Sequence, residues 1–307
     1  MPYPIEKKLV IAVASSALFD LTESDSVYKA NGVQAYKDYQ QKHINDIFEK
    51  GVAFPFISRL LRLNESFPDE QPIEIILMSR NSPETGMRAF NSIKYYGLNI
   101  SRAGFSSGSS HFQYLPAFNV SLFLSANEVD VKNALDNGIA AGRVLNKIVV
   151  DDEEDTELRL AFDFDGVLAD DEAEKIYKET NSLESYHQYE TEHATEPLNN
   201  GPVIELLKKI SFYQKLEQRK AIKETNYKRI IKTAIVTARN APAHERMINT
   251  LNHWNVDVDE AFFLGGIDKA RILNIMKPHI FFDDQMVHLN HIDKIPAVHI
   301  PFGVANH

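Results

Sequence analysis

Residues Ala161-Phe162-Asp163-Phe164-Asp165-Gly166-Val167-Leu168 decide how this chain is read. They follow Glu157-Leu158-Arg159-Leu160, so an apolar run of strand length ends in two carboxylates. Side chains two apart on a strand point to the same side. Asp163 and Asp165 therefore project together where the strand runs out, and Gly166 lets the chain turn away. In open α/β sheets the ligand crevice lies outside the carboxyl ends of the strands. Two carboxylates there suit a hard cation such as Mg2+, and a carboxylate can also attack phosphorus. Asp-Gly is equally a common turn pair, so a solvated acidic turn stands beside the functional reading at this point.

Composition narrows the classes. The chain has 307 residues, enough for two domains, and 44% hydrophobic residues, enough for a sizeable core. With 33 Lys plus Arg against 43 Asp plus Glu, the formal net charge is -10. That argues against a nucleic-acid polymer or an anionic membrane surface as partner. It leaves room for a small phosphate ligand. The absence of cysteine excludes disulfides, a thiol nucleophile and a Cys-based zinc site, and fits the expected cytoplasmic location. Lys7-Lys8 and the following run from Leu9 to Phe19 imitate a signal peptide. The β-branched residues favour an opening core strand instead. No run reaches the roughly 20 apolar residues of a membrane helix.

The chain repeats itself. Ile76-Leu77-Met78-Ser79-Arg80-Asn81-Ser82-Pro83 resembles Ile235-Val236-Thr237-Ala238-Arg239-Asn240-Ala241-Pro242. Arg88-Ala89-Phe90-Asn91-Ser92-Ile93 pairs with Arg246-Met247-Ile248-Asn249-Thr250-Leu251, and Tyr36, Tyr39, His43 and Gly51 with Tyr186, Tyr189, His193 and Gly201. An ordered series across both halves reads as a tandem duplication, residues 1–150 and 151–307. Asp151-Asp152-Glu153-Glu154-Asp155 at the join reads as a solvated linker. Strands and helices alternate in each half, which predicts α/β architecture: two Rossmann-like halves, each three-layer α/β/α. Second-half strands are expected near 158–164, 230–237, 260–264, 279–283 and 296–300, and a helix over Ala243–Trp254. Residues 171–229 are too long for a simple crossover and predict a small helical cap insertion. Residues 23–72 are the matching element.

Three further strand ends in the second half carry polar groups. Thr237-Ala238-Arg239 places a hydroxyl beside backbone N–H groups, which suits a phosphate oxygen. In Leu264-Gly265-Gly266-Ile267-Asp268-Lys269, Lys269 follows a glycine-permitted loop as a point charge for phosphate. Ile280-Phe281-Phe282-Asp283-Asp284 ends an apolar strand in two acids. Singly these read as a strand residue, a surface lysine and a helix cap.

Together, Asp-x-Asp, Thr, Lys and Asp-Asp on successive strand ends resemble the haloacid dehalogenase-like phosphohydrolases. That resemblance implies Asp163 as nucleophile and Asp165 as general acid and base. It implies Thr237, Ala238 and Lys269 at the phosphoryl group, and Mg2+ held by Asp163, Asp165 through its carbonyl, and Asp283, with Asp284 supporting. The whole chain is similar to the cytosolic 5'-nucleotidase I family. The stretches carrying this are 161–168, 236–239, Pro278–Asp284, His299-Ile300-Pro301-Phe302-Gly303, 11–20, 122–126, Asp130-Val131 and Gly138-Ile139-Ala140-Ala141. The chain departs from the family at Phe164, usually Gly, and in Phe105-Ser106-Ser107-Gly108-Ser109-Ser110, where the family tends to a Thr-Gly-Gly form. The resemblance implies Mg2+-dependent hydrolysis of nucleoside 5'-monophosphates, AMP or IMP among them. Another small phosphomonoester as substrate, or a regulatory protein that only binds nucleotide, are the alternatives. Oligomeric state stays open, homo-oligomers included.

In the repeat alignment the first half has lost the chemistry. Ala14 stands for Asp163, Ser16 for Asp165, Met78 for Thr237, His111 for Lys269, and Ser125-Ala126 for Asp283-Asp284. The half is expected to keep the fold without forming an aspartyl phosphate, as a structural wall or, through its serines and Arg80, as a nucleotide effector site. Phe19, Tyr28, Tyr36, Tyr186 and Tyr189 read as core residues, with base stacking as the alternative.

Overall fold

The computed structural model describes residues 3–145 and 151–306. The chain divides into two compact units, Met1–Val149 and Val150–His307. The boundary expected after residue 150 adjoins 146–150, which lie outside the described residues. Both units are mixed α/β.

Unit 1 carries β1 (Leu9–Val13), β2 (Ile73–Ser79), β3 (Arg102–Phe105), β4 (Leu122–Ser125) and β5 (Ala141–Val144). All pair in parallel, in the order β3-β2-β1-β4-β5. Unit 2 carries β6 (Leu158–Phe162), β7 (Ile231–Thr237), β8 (Glu260–Phe263), β9 (Ile280–Asp283) and β10 (Ala297–His299). These too are parallel, in the order β8-β7-β6-β9-β10. Every residue of β1, β2 and β9 is buried. Strands covered on both faces carry continuous apolar runs, which is why Leu9–Val13 is a core strand. In unit 2 the chain steps from β6 to β7 on one side and later to β9 on the other. The carboxyl ends of β6 and β9 therefore flank the switch point where α/β sheets open a crevice.

The segment between β6 and β7 divides in two. The helices Glu172–Thr180 and Leu183–Glu192 pack on each other, while Ile204–Lys223 lies along the sheet. The range 171–229, where a cap is expected, thus contains two differently packed parts. The third helix buries Leu206, Leu207, Ile210 and Tyr213. Its Gln214 donates to Thr233 Oγ1 at 3.1 Å and to Asp259 at 2.7 Å. Its fully buried Glu217 accepts from the Ile230 and Ile231 N–H groups at 2.7 and 3.0 Å and from the Tyr227 hydroxyl at 2.6 Å. Those donors enter β7 ahead of its ladder, and the carboxylate satisfies them.

Strand register corrects one pairing. β1 aligns Leu9 with Ile73, and β6 aligns Leu158 with Ile231. Two seven-residue strands then end on Ser79 and Thr237. The Asn81 N–H meets Ser79 Oγ at 3.2 Å as the Arg239 N–H meets Thr237 Oγ1 at 3.2 Å. Ser79, and not Met78, stands at the Thr237 position, and Asn81 stands at that of Arg239. The shared Arg-Asn pair draws a letter alignment one residue out, but the hydrogen-bond ladder sets the register.

Glu217→Ala is expected to destabilise the chain by about 3 kcal/mol, because it orphans two backbone donors at the start of a buried strand. Urea unfolding measures this. A loss below about 0.5 kcal/mol would show that water replaces the carboxylate.

Candidate active site

The site grows from the ends of β6, β7 and β9 and from the loop after β8. Asp163 follows the last residue of β6 and is buried. Its Oδ1 accepts the Phe164 N–H at 2.7 Å, and its Oδ2 lies 2.6 Å from Lys269 Nζ. Lys269 also donates to Asp283 Oδ2 at 2.7 Å. Asp283 Oδ1 accepts the Gln285 N–H at 2.8 Å, and His288 Nδ1 lies 3.2 Å from both of its oxygens. The tight Gly265-Gly266 turn, both residues at positive φ, brings Lys269 to this point.

Asp284 is fully buried, and neither carboxylate oxygen has a hydrogen-bond partner. Its backbone carbonyl accepts from the Asn306 amide at 3.0 Å and lies 3.0 Å from His299 Nε2. A Cβ on Gly166 would fall 2.5 Å from Asp284 Oδ2, and Gly166 has φ +71. Only glycine therefore lets the turn after Asp165 pass this carboxylate. Burial, with Asp163, Asp283 and Glu174 nearby, pushes the Asp284 carboxyl up to about 10. Burial also raises Asp163 to about 6 against the pull of Lys269. Burial works to raise Asp283, but Lys269 and His288 hold it below the usual carboxylate range. Burial works to lower Lys269, but the two carboxylates raise it, so it stays charged.

This donor set fits a cation. Three buried carboxylates face one lysine, and a buried carboxylate without a partner is costly unless it is neutralised or coordinated. Ligand atoms of Asp163, Asp283 and His288 lie within 4.8 Å of one another. Asp284 follows Asp283 directly in the chain, and both of its carboxylate oxygens lack a hydrogen-bond partner. Asp165 does not join it through its side chain, which is committed elsewhere. Arg239 holds both Asp165 oxygens with two bonds of 2.7 Å. The same guanidinium pairs with Glu190 of the helix Leu183–Glu192 and donates to the Ala243 carbonyl. Glu190, fully buried, also takes Arg246 at 3.0 Å, and Arg246 reaches Glu172 at 3.1 Å. Phe164 is fully buried, with its ring centroid 5.3 Å from the Arg239 guanidinium carbon. It therefore flanks the charge that holds Asp165.

Thr237 is buried, and its hydroxyl accepts the Arg239 N–H, while Ala238 is exposed at the same strand end. Residue reading singled out Asp163, Asp165, Thr237, Ala238, Lys269, Asp283 and Asp284, but missed Arg239, Glu190, Glu174 and His288 as parts of the site. Glu190 aligns with Gln40 in the repeat, and that charge difference was a usable signal.

The chain matches the family model described as 5'-nucleotidase over residues 1–307. It is 35% identical over 305 residues to human (Homo sapiens) Cytosolic 5'-nucleotidase 1B, an alignment covering 97% of this chain and 49% of that protein. The chain thus spans about half the length of this curated relative. No solved structure matches it significantly.

Two measurements follow. Asp284 stays protonated in the folded chain to pH about 10, and Asp163 to about 6, whereas both ionise near pH 4 when unfolded. The stability they contribute is complete below about pH 4 and is lost as pH rises towards those values. Chelator-treated protein should therefore lose melting temperature from pH 5 to 9, and Asp284→Asn should flatten that slope; an unchanged slope would contradict the assignment. Separately, Arg239→Met leaves buried Glu190 short of a partner and should cost about 3 kcal/mol in denaturant unfolding.

Proposed function

Because this chain belongs to the 5'-nucleotidase family, we propose that it hydrolyses nucleoside 5'-monophosphates, AMP or IMP among them, to nucleoside and phosphate. The observation that carries the reading is the buried array of Asp163, Lys269, Asp283 and the unpartnered Asp284 at the carboxyl ends of β6 and β9. We read both units as haloacid dehalogenase-like halves from a tandem duplication, with hydrolysis confined to residues 151–307. The proposed location is the cytoplasm; among the described residues no helix is long and apolar enough to cross a membrane.

In this reading an Asp163 oxygen attacks phosphorus and the bond to the ester oxygen breaks. Asp165 gives that oxygen its proton as the nucleoside leaves. Water then attacks the phosphorus of the aspartyl phosphate, Asp165 takes a water proton, and phosphate and free Asp163 are regenerated. Thr237, the Ala238 backbone and Lys269 bind the phosphoryl oxygens. Asp163, Asp283, Asp284 and the Asp165 carbonyl would hold Mg2+, whose charge would offset the repulsion between carboxylate and phosphate dianion. Lys269 bridges Asp163 and Asp283, so it keeps the nucleophile ionised although burial works against that.

Arg239 gives the helical pair a part in this chemistry. Asp165 must reach the ester oxygen with a proton as the nucleoside leaves, yet both of its oxygens are turned to the Arg239 guanidinium at 2.7 Å. Substrate binding has to move Asp165 off Arg239. Arg239 is anchored by Glu190, so it stays behind when Asp165 turns to the ester oxygen.

Phosphate release from the four 5'-ribonucleotides, a 3'-nucleotide and glucose 6-phosphate tests the proposal, each with Mg2+, with chelator and with variants. Turnover should be confined to 5'-nucleotides and vanish with chelator. Asp163→Asn should lower kcat by at least about 10⁴-fold and Asp165→Asn by about 10²–10⁴-fold. Preferential turnover of glucose 6-phosphate would keep the chemistry and sink the nucleotidase reading.

A further inference from the structure

Unit 1 holds a cavity of about 590 Å³ at the carboxyl ends of its own strands. Its walls include Ala14, Ser16, Ser125 and Ala126, which occupy the places of Asp163, Asp165, Asp283 and Asp284. Four carboxylates have shrunk to methyls and hydroxyls. A half that served only as a wall would let core side chains fill that space, since protein interiors close-pack. Here the space stays open, of the size that small-molecule sites have.

His111 stands where unit 2 has Lys269. It is 2% exposed, lines the cavity, and neither ring nitrogen has a hydrogen-bond partner. Burial and Arg80 lower its pKa against the pull of Asp130, so the ring is neutral and offers one donor and one acceptor. A buried polar group left unpaired is costly, and in native structures such groups point to an unfilled role. The electrostatics are reversed relative to unit 2. Lys29, Lys37 and Arg80 line the cavity against Asp25 and Asp130, one positive charge in excess. Asp130 holds Arg80 through Nε and one Nη, at 2.9 and 2.5 Å, which leaves the other Nη free to meet an anion. At the mouth, Tyr28 is half exposed and meets Tyr36 edge-on at 5.9 Å, and the Tyr36 hydroxyl donates to Asn81 at 2.8 Å. Tyr28 and Tyr36 correspond to Tyr177 and Tyr186 of unit 2.

We infer that this cavity binds a nucleotide, intact and without a metal ion. The positive excess meets the phosphate directly, so no cation is needed to shield it from carboxylates. His111 and the serine hydroxyls supply neutral hydrogen bonds, and Tyr28 supplies a stacking face for the base. With alanine in the nucleophile position the phosphoryl group has nothing to react with. The choice of nucleotide over other aromatic phosphates rests on the proposed function, through the shared strand-end plan; the cavity, the charge and His111 do not.

The test titrates AMP, adenosine and inorganic phosphate into the full chain in chelator, by calorimetry. One AMP per chain should bind. Tyr28→Ala changes an exposed ring and should weaken binding about tenfold or more, as should His111→Gln. Asp163→Asn should leave the affinity unchanged. With this last variant in Mg2+, AMP bound in the unit 1 cavity should be recovered intact. No binding in chelator, or binding untouched by both Tyr28→Ala and His111→Gln, would overturn the inference. Adenosine binding as tightly as AMP would overturn the phosphate assignment, and hydrolysis by Asp163→Asn would overturn the claim of an inert site. If wild-type protein hydrolysed no nucleotide but still bound AMP in chelator, the proposed function would fail and this site would stand.

Discussion

Lys269 sits buried between Asp163 and Asp283, 2.6 and 2.7 Å from their oxygens, and the second unit's site is built around that arrangement. One ammonium cannot neutralise three buried carboxylates. Asp284 is left without a partner, and its carboxyl moves far up in pKa for that reason. The same constraint explains Gly166, the residue type that lets the chain turn past Asp284. It also explains why a divalent cation suits this place: the fold has gathered more negative charge than its own side chains balance.

A second charge network ties the helical pair to the strand ends. Arg239 joins Asp165 to Glu190, and Arg246 joins Glu190 to Glu172. Unit 1 is informative by contrast. Arg88 keeps the place of Arg246 and donates to the Asp46 carbonyl as Arg246 donates to that of Glu196. Yet Asn81, Gln40 and Ser16 stand where Arg239, Glu190 and Asp165 stand. The structural arginine persists, while the three linked charges are absent together. That pattern couples Arg239 and Glu190 to Asp165 as one unit.

Much of this was legible in the residues. The second unit's strands fall where apolar runs bounded by polar strand ends placed them, as in Leu158–Phe162 and Ile280–Asp283. The helix His244–Trp254 begins one residue inside its expected range. The long insertion was less legible. Ile204–Lys223 packs on the sheet because it presents an apolar face together with Gln214 and Glu217, whose partners are distant in the chain. The Ser79 register was hidden because identical letters at Arg80 and Arg239 outweigh a one-residue slip that only the ladder exposes.

The sequence by itself determined the order of strands and helices, and which residue types stand at each strand end, because both follow from local periodicity and spacing. Tertiary structure alone decided which of those groups meet. It directed Lys269 to two carboxylates, gave Asp165 to Arg239, left Asp284 and His111 without partners, and kept a cavity open in the first unit. The physical reason is that ion pairing, burial and orphaned hydrogen-bonding groups depend on distances between segments far apart in the chain, and no local pattern encodes those distances.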